Sequence, residues 1–276
     1  MATNGLRLHG WLVRQGPLRV PEITVAFWVL KAMSTALGEA TSDYLVHTIA
    51  PALAVVLGFI AFVFALVLQF RRGHYNAWTY WFAVAMVGTF GTMAADVLHV
   101  GLGVPYPVST AIYAVVLMAV FVAWQRVEGT LSIHSIDTPR RETFYWAAVV
   151  ATFAMGTALG DLTAYTAHLG YWSSAILFLG VIAIPAVGFR FLRWNGVFTF
   201  WFAYVVTRPL GASVADGLGK PKAVSGLGWG DGWVVLGFGV LILIGVAYLG
   251  ITRRDVQRGD HRPGNGPPAV PLGDRA

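Results

Sequence analysis

Residues 145–161 read YWAAVVATFAMGTALGD, and this arrangement of an aromatic residue, Trp, Gly and Asp occurs four times along the chain. In each copy nine residues separate Trp from Gly, and four separate Gly from Asp. Because internal self-similarity marks a fold of repeated supersecondary units, an argument about one copy applies to all. The copies are Phe27-Trp28, Gly38 and Asp43; Tyr80-Trp81, Gly91 and Asp96; Tyr145-Trp146, Gly156 and Asp161; and Phe200-Trp201, Gly211 and Asp216.

The composition indicates an integral membrane protein. Hydrophobic residues make up 57% of the chain and charged residues 12%, against about 25% charged residues in soluble domains. Eight apolar runs are long enough to span a bilayer as helices, which predicts an all-α, polytopic fold of eight transmembrane helices. Two spans fall in each repeat, so we expect four tandem two-helix repeats in a pseudo-fourfold arrangement. The predicted spans are 23–44, 48–70, 78–99, 107–125, 143–165, 171–190, 197–217 and 231–251.

The predicted domain organisation is one transmembrane domain between two polar ends. Residues 1–20 lack the compact apolar core of a signal peptide and are interpreted as a cytoplasmic lead-in. Residues 252–276 are polar and rich in Pro and Gly, which predicts a disordered cytoplasmic tail. The chain has no Cys, which excludes disulfides and thiolate metal sites. The transmembrane domain covers 21–251, with repeats at about 21–72, 73–126, 139–193 and 194–251.

The positions of the cationic residues predict the orientation in the membrane. Arg residues occur in the lead-in, in the tail and in every loop that follows an even-numbered span, for example Arg71 and Arg72. The opposite loops hold only Lys220 and Lys222. By the positive-inside rule both termini lie in the cytoplasm, and the net charge of +6 requires no nucleic-acid partner.

The repeated Asp predicts a functional site. A carboxylate in an apolar span is costly to desolvate, and four copies aligned by a repeat suggest one shared site. One helical turn earlier, three of the four copies carry a second oxygen-bearing side chain. The predicted cation- and proton-binding residues are Glu39, Asp43, Asp96, Asp161, Asp216, Thr92 and Thr157, with His47 and His99 as candidate metal ligands on the same helical faces.

This ligand set favours a divalent cation. Carboxylate and hydroxyl oxygens suit Mg²⁺, Ca²⁺ and Mn²⁺, and imidazole shifts the preference toward Mn²⁺, Fe²⁺, Co²⁺ or Zn²⁺. Carboxylates crowded around one axis repel each other, so such a cluster should hold either a cation or protons. A metal ion or proton is therefore expected as the transported species, and no cofactor is predicted.

The remaining polar and aromatic residues of the spans have separate expected roles. Arg208, in mid-span, should pair with Glu39 or a repeat Asp as a counter-ion or gate, because a lone buried cation is very unfavourable. Lys31 lies nearer the inner interface and is expected to snorkel. The repeat Trp residues are expected to be interfacial anchors, and the repeat Gly residues to allow either close helix packing or helix opening.

The sequence also resembles a known family. Pro21-Glu22-Ile23-Thr24 in the first repeat, Gly160-Asp161-Leu162 in the third and Thr207-Arg208-Pro209-Leu210-Gly211 in the fourth are similar to a bacterial membrane family of four tandem two-helix repeats. That family is of unknown function and has a signature Trp in each repeat. The resemblance implies an architecture over about residues 20–251 and no activity.

Three classes of function follow from these residues. A secondary transporter of a cation, such as Mn²⁺, in the bacterial inner membrane agrees best with the repeated carboxylates. A pseudo-fourfold cation channel and a transporter of a small organic cation stay open. No Gly-x-Ser-x-Gly or His-Glu-x-x-His signature occurs, so an enzyme is not expected. The expected partners are the lipid bilayer and a small cation, with a homo-oligomer left open.

Overall fold

The computed structural model describes residues 18–257, and this part of the chain contains no β-strand. It forms eight helices of 20 to 24 residues. Two of them continue directly into single π-helical segments, Val97–Gly101 and Leu162–Thr166. The helices are α1 (Val25–Thr48), α2 (Pro51–Arg72), α3 (Ala77–Asp96), α4 (Tyr106–Glu128), α5 (Pro139–Asp161), α6 (Gly170–Phe191), α7 (Gly196–Gly219) and α8 (Asp231–Thr252).

Each helix that carries a repeat Trp begins at a capping residue. The side chain of that residue accepts a hydrogen bond from a backbone N–H in the first turn. These N–H groups have no partner within the helix, and one such cap stabilises a helix by about 1 kcal/mol. The capping residues are Thr24, Asn76, Thr138 and Asn195.

The helices form an inner and an outer set. In the apolar spans of α3, α5 and α7, 56% to 67% of residues are buried, whereas the share is 17% to 28% in α2, α4, α6 and α8. Helix α1 belongs to the inner set because Lys31, Thr35, Glu39 and Asp43, on one of its faces, are all buried. The outer helices expose many Leu, Val, Ile and Phe side chains, as expected for surfaces in contact with lipid.

The helices contact one another in a regular order. Inner helix α1 packs against α3, α3 against α5, α5 against α7, and α7 against α1. The second helix of each repeat packs mainly against the first helix of the next repeat, as α2 does against α3 and α8 does against α1. Each repeat therefore buries its apolar surface against its neighbours, as expected for units that are not stable alone.

The repeat glycines lie where neighbouring inner helices approach most closely. A Cβ atom added to Gly38 would lie 2.7 Å from the backbone carbon of Gly88, so the two helices meet backbone to backbone. At each of the other repeat glycines an added Cβ would meet a side-chain atom of the neighbouring inner helix within 2.7 Å, which also supports close packing over helix opening. Each one faces the residue eight positions before the Asp of the following repeat, and the contacts are Gly38 with Gly88, Gly91 with Phe153, Gly156 with Arg208, and Gly211 with Thr35.

Aromatic side chains form a layer between the inner helices α1, α3, α5 and α7, near the N-terminal ends of these helices. The four inner helices together are called the inner ring. Trp81 and Trp146 are each 2% exposed and Trp201 is 5% exposed, so the expectation of interfacial anchors is wrong for these three. They lie on inner helices, whose surfaces are covered by neighbouring inner helices and by the outer set. Trp28 is half-buried against Phe200. We call these Trp side chains, together with the aromatic residues packed on them, the aromatic layer. The packed residues are Phe27, Tyr80, Tyr145, Phe200 and Tyr204.

The structure confirms an all-α protein of the polytopic membrane type. Seven of the eight helices in residues 18–257 are long and apolar enough to cross a membrane. Helix α1 is long enough but more polar, since it carries Lys31, Glu39 and Asp43. The helix bounds agree with the predicted spans within a few residues.

The two ends of the described range pack against each other. The side chain of Gln257 donates to the backbone oxygen of Pro21 at 2.9 Å, and the backbone N–H of Glu22 donates to Asp255 at 2.8 Å. Asp255 is 1% exposed and accepts a hydrogen bond from the hydroxyl of Tyr75. Asp255 and Gln257 are thus held by hydrogen bonds, although a disordered tail was predicted from 252; residues 1–17 of the predicted lead-in and 258–276 of the tail lie outside the described range.

Gly38→Ala tests the backbone contact between α1 and α3. We expect destabilisation by about 1–3 kcal/mol, because the added methyl group meets backbone that cannot move aside without shifting a helix. Gly237→Ala, in α8, is the matched control because nothing lies within 4 Å of its added Cβ. Thermal unfolding in detergent compares the two, and equal midpoints would contradict the close approach.

Candidate cation site

Three of the predicted carboxylates converge. One carboxylate oxygen each from Glu39, Asp43 and Asp216 lie within 4.8 Å of one another. The three residues are between 4% and 9% exposed, and they come from the adjacent helices α1 and α7. Acidic groups this close and this buried cannot all stay charged without compensating cations. We call these three residues the acidic group.

Lys220 is the first compensating cation. Its Nζ atom donates to Oδ2 of Asp43 at 2.5 Å. Burial by itself would lower the pKa of Lys220, but the carboxylates of Asp43 and Asp216 outweigh this effect and raise the pKa above its usual value. Lys220 was predicted only as a residue of the outer loop, although it follows the repeat Asp216 by four residues, a helical spacing that could have indicated the contact.

Arg208 is the second compensating cation; it was predicted to pair with Glu39 or with a repeat Asp, and in the structure it pairs with Glu39. Its Nη2 atom donates to Oε2 of Glu39 and lies 2.5 Å from the hydroxyl of Thr92 and 2.6 Å from that of Thr157. Glu39, Thr92 and Thr157 each stand four residues before the Asp of their repeat. The side chain of Arg208 therefore joins four inner helices at one point.

The hydrogen bonds around Arg208 are incomplete. Its Nη2 carries two hydrogens but faces three oxygens, so two of the contacts share a donor. The hydroxyls of Thr92 and Thr157 lie 3.1 and 3.2 Å from the backbone oxygens of Gly88 and Phe153, so they can donate there while accepting from Arg208. Nε of Arg208 has no partner in the described residues. The guanidinium is held firmly on one edge only.

Asp96 and Asp161 have different surroundings from the other two repeat aspartates. Neither is part of the acidic group, and both are half-buried. Each is the last α-helical residue before a π-helical segment. Because π-helical turns are rare and often mark functional positions, the second and third repeats place their Asp at a local change of helix geometry. The four repeat aspartates therefore occupy two different kinds of position.

The two predicted His ligands lie away from the acidic group. His47 is 66% exposed, and its Nδ1 faces Asp231 at 3.8 Å. His99 lies in the π-helical segment after α3, where its Nδ1 pairs with the backbone oxygen of Val104 at 2.6 Å and its ring stacks on Tyr106. The helical spacing that suggested them as ligands assumed an α-helix, and the π-helical turn changes the direction of His99.

Comparison with known families gives one match. The family described as Repeat of Unknown Function (DUF347) matches residues 79–130, 144–193 and 199–255, which together make up more than half of the chain. The chain belongs to the DUF347 repeat family. No curated protein and no solved structure matched the chain.

The residue ranges that match the DUF347 family contain only some of the residues of the candidate site. Asp96, Asp161, Arg208 and Asp216 lie in matched repeats, whereas all of α1 lies before the first match. Helix α1 nevertheless packs against α3, α7 and α8 as the matched repeats pack against their own neighbours. It supplies Glu39 and Asp43, so most of the acidic group comes from the most polar inner helix.

Lys31 was predicted to snorkel, and this prediction is wrong. The side chain is fully buried, and its Nζ lies 4.2 Å from the centroids of the Phe153 and Tyr204 rings. It lies three turns of α1 before Asp43, on the same face. The aromatic layer fills the space between Lys31 and the nearer end of the bundle, so the amine has no route to water along α1.

Two apolar clefts among the described residues lie apart from the acidic group. A cleft of about 750 Å³ lies beside α1 and α7 near Trp28 and Phe200. A second, of about 650 Å³, lies beside α4 and α7 near Phe121 and Trp201. No acidic residue lines either cleft, so neither is a candidate for holding a cation.

Arg208→Met tests the central ion pair. We expect a loss of about 3–5 kcal/mol, because Glu39 would stay buried without its partner, and recovery of much of that loss in Arg208→Met with Glu39→Gln. Arg140→Met is the control, since Arg140 pairs with Glu128 but is 69% exposed and should matter by less than about 1 kcal/mol. Unfolding in detergent measures all four proteins. A double variant no more stable than Arg208→Met would contradict the pairing as the source of the effect.

Proposed function

We propose that this DUF347 protein is a secondary transporter of a divalent metal cation, such as Mn²⁺, exchanged for protons. The proposal rests chiefly on one observation, the convergence of oxygens from Glu39, Asp43 and Asp216 within 4.8 Å. Oxygens at this separation can coordinate one ion at the usual distances of about 2.0–2.6 Å. The hydroxyls of Thr92 and Thr157, which surround Arg208 beside Glu39, supply further oxygens.

The proposed architecture has eight spans, with the four repeats arranged about one axis. Support comes from the order of the helix contacts, which has the same form at every repeat and joins the fourth repeat to the first. The equivalent glycine contacts, from Gly38 with Gly88 to Gly211 with Thr35, support it as well. Helix α1 can be the most polar span because α2, α3, α7 and α8 all contact it and shield its polar face from lipid.

The proposed location is the bacterial inner membrane, with both termini in the cytoplasm. An even number of spans is supported by the contact between Pro21 and Gln257, which brings the two ends of the described range to the same side. Arg19 precedes α1, and Arg140 and Arg141 lie in the first turn of α5, which agrees with the positive-inside rule for the cytoplasmic side of odd-numbered helices.

The chemistry of the acidic group suggests how binding and exchange are linked. Lys220 occupies one oxygen of Asp43, and Arg208 occupies one oxygen of Glu39. A divalent cation bound to the remaining oxygens of these carboxylates competes with the tethered cations and with protons for the same negative charge. Cation and proton therefore compete for the same oxygens, which is the requirement for exchange.

A simple cation channel is less compatible with these contacts. The aromatic layer closes one half of the centre between the inner helices, and Arg208 and Lys31 add positive charge to that centre. A cation would have to pass both groups, and this requires a conformational change as in a transporter.

A small organic cation is the second candidate cargo. Tyr106 stacks against Tyr165 with ring centroids 5.9 Å apart, and Tyr165 stands four residues after Asp161, in the π-helical segment that begins directly after this carboxylate. Aromatic faces next to carboxylates are a common arrangement for binding organic ammonium ions.

Metal uptake into proteoliposomes tests the function. We expect the wild-type protein to accumulate Mn²⁺ under an imposed pH gradient, and Asp216→Asn to lower the rate about 10- to 100-fold, because one ligand loses its charge. Asp137→Asn is the control. Asp137 lies in the loop before α5, away from the acidic group, and pairs with Arg141 of that helix, so removing its charge should leave transport unchanged.

Uptake of different cations distinguishes the metal transporter from the organic-cation transporter and the channel. Saturable Mn²⁺ uptake that tetramethylammonium does not inhibit would support the metal, whereas saturable tetramethylammonium uptake without Mn²⁺ uptake would replace it with an organic cation. Fast conductance that does not saturate would favour a channel. Absence of transport of every cation tested would contradict the proposal.

A further inference from the structure

Lys220 lies between the acidic group and the end of the bundle away from the aromatic layer. It is the residue directly after α7, and its Nζ contacts Oδ2 of Asp43 at 2.5 Å. The side chains of Lys220 and Asp43 are 19% and 13% exposed, whereas that of Glu39 is 5% exposed. The ammonium thus stands on the more accessible side of the acidic group, where a cation that arrives from this end meets it first.

The backbone of Lys220 is held in place by the glycine-rich loop that follows it. A Cβ atom added to Gly226 would overlap the backbone oxygen of Lys220, so the loop packs directly on this residue. The loop also donates four backbone hydrogen bonds of 2.7 to 3.1 Å to the end of α7, whose last oxygens have no partner within the helix. These bonds run from Leu227 to Gly217, from Trp229 to Leu218, from Gly230 to Gly219 and from Gly228 to Lys220. With the backbone fixed, it is the flexible four-carbon side chain of Lys220 that can change position.

A second carboxylate lies within reach of this side chain. Asp231 is the first residue of α8, and a Cβ atom added to Gly219 would overlap its Oδ1. Its other oxygen, Oδ2, faces Nδ1 of His47 at 3.8 Å. Oδ1 of Asp231 therefore packs on the residue just before Lys220, and neighbouring Cα atoms are only about 3.8 Å apart. The side chain of Lys220 is long enough to pair with either Asp43 or Asp231.

The two carboxylates attract the ammonium under different conditions. Asp43 is crowded by Glu39 and Asp216, so an acidic group without metal holds the ammonium strongly. A divalent cation bound to the acidic group cancels this attraction and repels a neighbouring ammonium. Asp231 is not part of the acidic group, and it stands in the first turn of α8, where the helix dipole stabilises a carboxylate without a cationic partner. Asp231 is thus available to receive an ammonium that leaves Asp43.

We propose that Lys220 is a gate on the acidic group: its ammonium pairs with Asp43 when the group is empty and with Asp231 when a divalent cation is bound. This role rests on the proposed function. The ammonium keeps its proton in both positions, so one ion pair is exchanged for another and no covalent bond changes. The tethered charge compensates the carboxylates until a cation replaces it, and it moves aside at the end of the bundle from which that cation enters.

Binding of Mn²⁺ to the purified protein tests the exchange of partners, with the electron paramagnetic resonance signal of free Mn²⁺ as the measurement. We expect Lys220→Met to lower the Kd about tenfold, because no ammonium has to leave Asp43. Asp231→Asn should raise the Kd about three- to tenfold, because the displaced ammonium loses its second partner. In the double variant, Asp231→Asn should change the Kd of Lys220→Met by less than about twofold.

Lys222→Met is the matched control, since Lys222 is an exposed lysine of the same loop and its removal should leave the Kd within about twofold of wild type. An unchanged Kd in Lys220→Met would overturn the gate. An effect of Asp231→Asn that is as large without Lys220 as with it would overturn the second position, because Asp231 would then act on the metal by its charge alone.

Chemical modification of lysines tests the two positions of Lys220 without any cargo. The rate at which an acetylating reagent modifies Lys220, measured by mass spectrometry, is divided by the rate for exposed Lys222 as an internal reference. We expect this ratio to rise at least about fivefold in Asp43→Asn, because the first partner loses its charge. Adding Asp231→Asn to Asp43→Asn should raise it at least about threefold more, because the ammonium then has neither partner.

A double variant with the same ratio as Asp43→Asn would refute the position at Asp231. The expected ratios, observed in proteins that bind no Mn²⁺, would refute the proposed metal and leave the two positions of Lys220 intact. The two failures are therefore distinguishable.

Discussion

Electrostatic compensation of Arg208 is the interaction on which the centre of this protein depends. A guanidinium in the middle of a helical bundle needs an opposite charge within hydrogen-bond distance, and Glu39 provides it from the neighbouring helix α1. Because the same nitrogen contacts Thr92 and Thr157, the four inner helices are fixed relative to each other at this level. Glu39 is also a member of the acidic group, so a change in the charge of that group acts on the helices joined at this contact.

The four repeats share a scaffold but carry different polar residues. The glycines take corresponding positions in every repeat, and the missing side chain there lets neighbouring inner helices pack closely. The charged residues are unequal: every repeat supplies its Asp, but only the first adds Lys31 and Glu39, and only the fourth adds Arg208. An equal set of four buried carboxylates would repel strongly, and the unequal set replaces part of that repulsion by pairing. The asymmetry thus gives the ring one charged centre between α1 and α7.

The sequence allowed much of the fold and part of the site to be predicted. Helix number and bounds followed from the apolar runs, and the pairing of Arg208 followed from the cost of a lone buried cation. The convergence of Glu39, Asp43 and Asp216 agreed with the repeat pattern, but the pattern gave no reason to separate them from Asp96 and Asp161. That separation arises with the π-helical segments after the latter two, which no residue spacing indicated.

The sequence by itself determined the class of protein, the helices and the residues that face the centre, because these depend on composition and on the period of a helix. Only the tertiary structure decided which cation compensates which carboxylate. Lys220 and Asp43 are far apart in sequence, and their 2.5 Å contact depends on how the end of α7 meets α1. Only the tertiary structure could show that Lys31 is sealed from water, because snorkelling needs a free path along the helix and neighbouring aromatic side chains close that path.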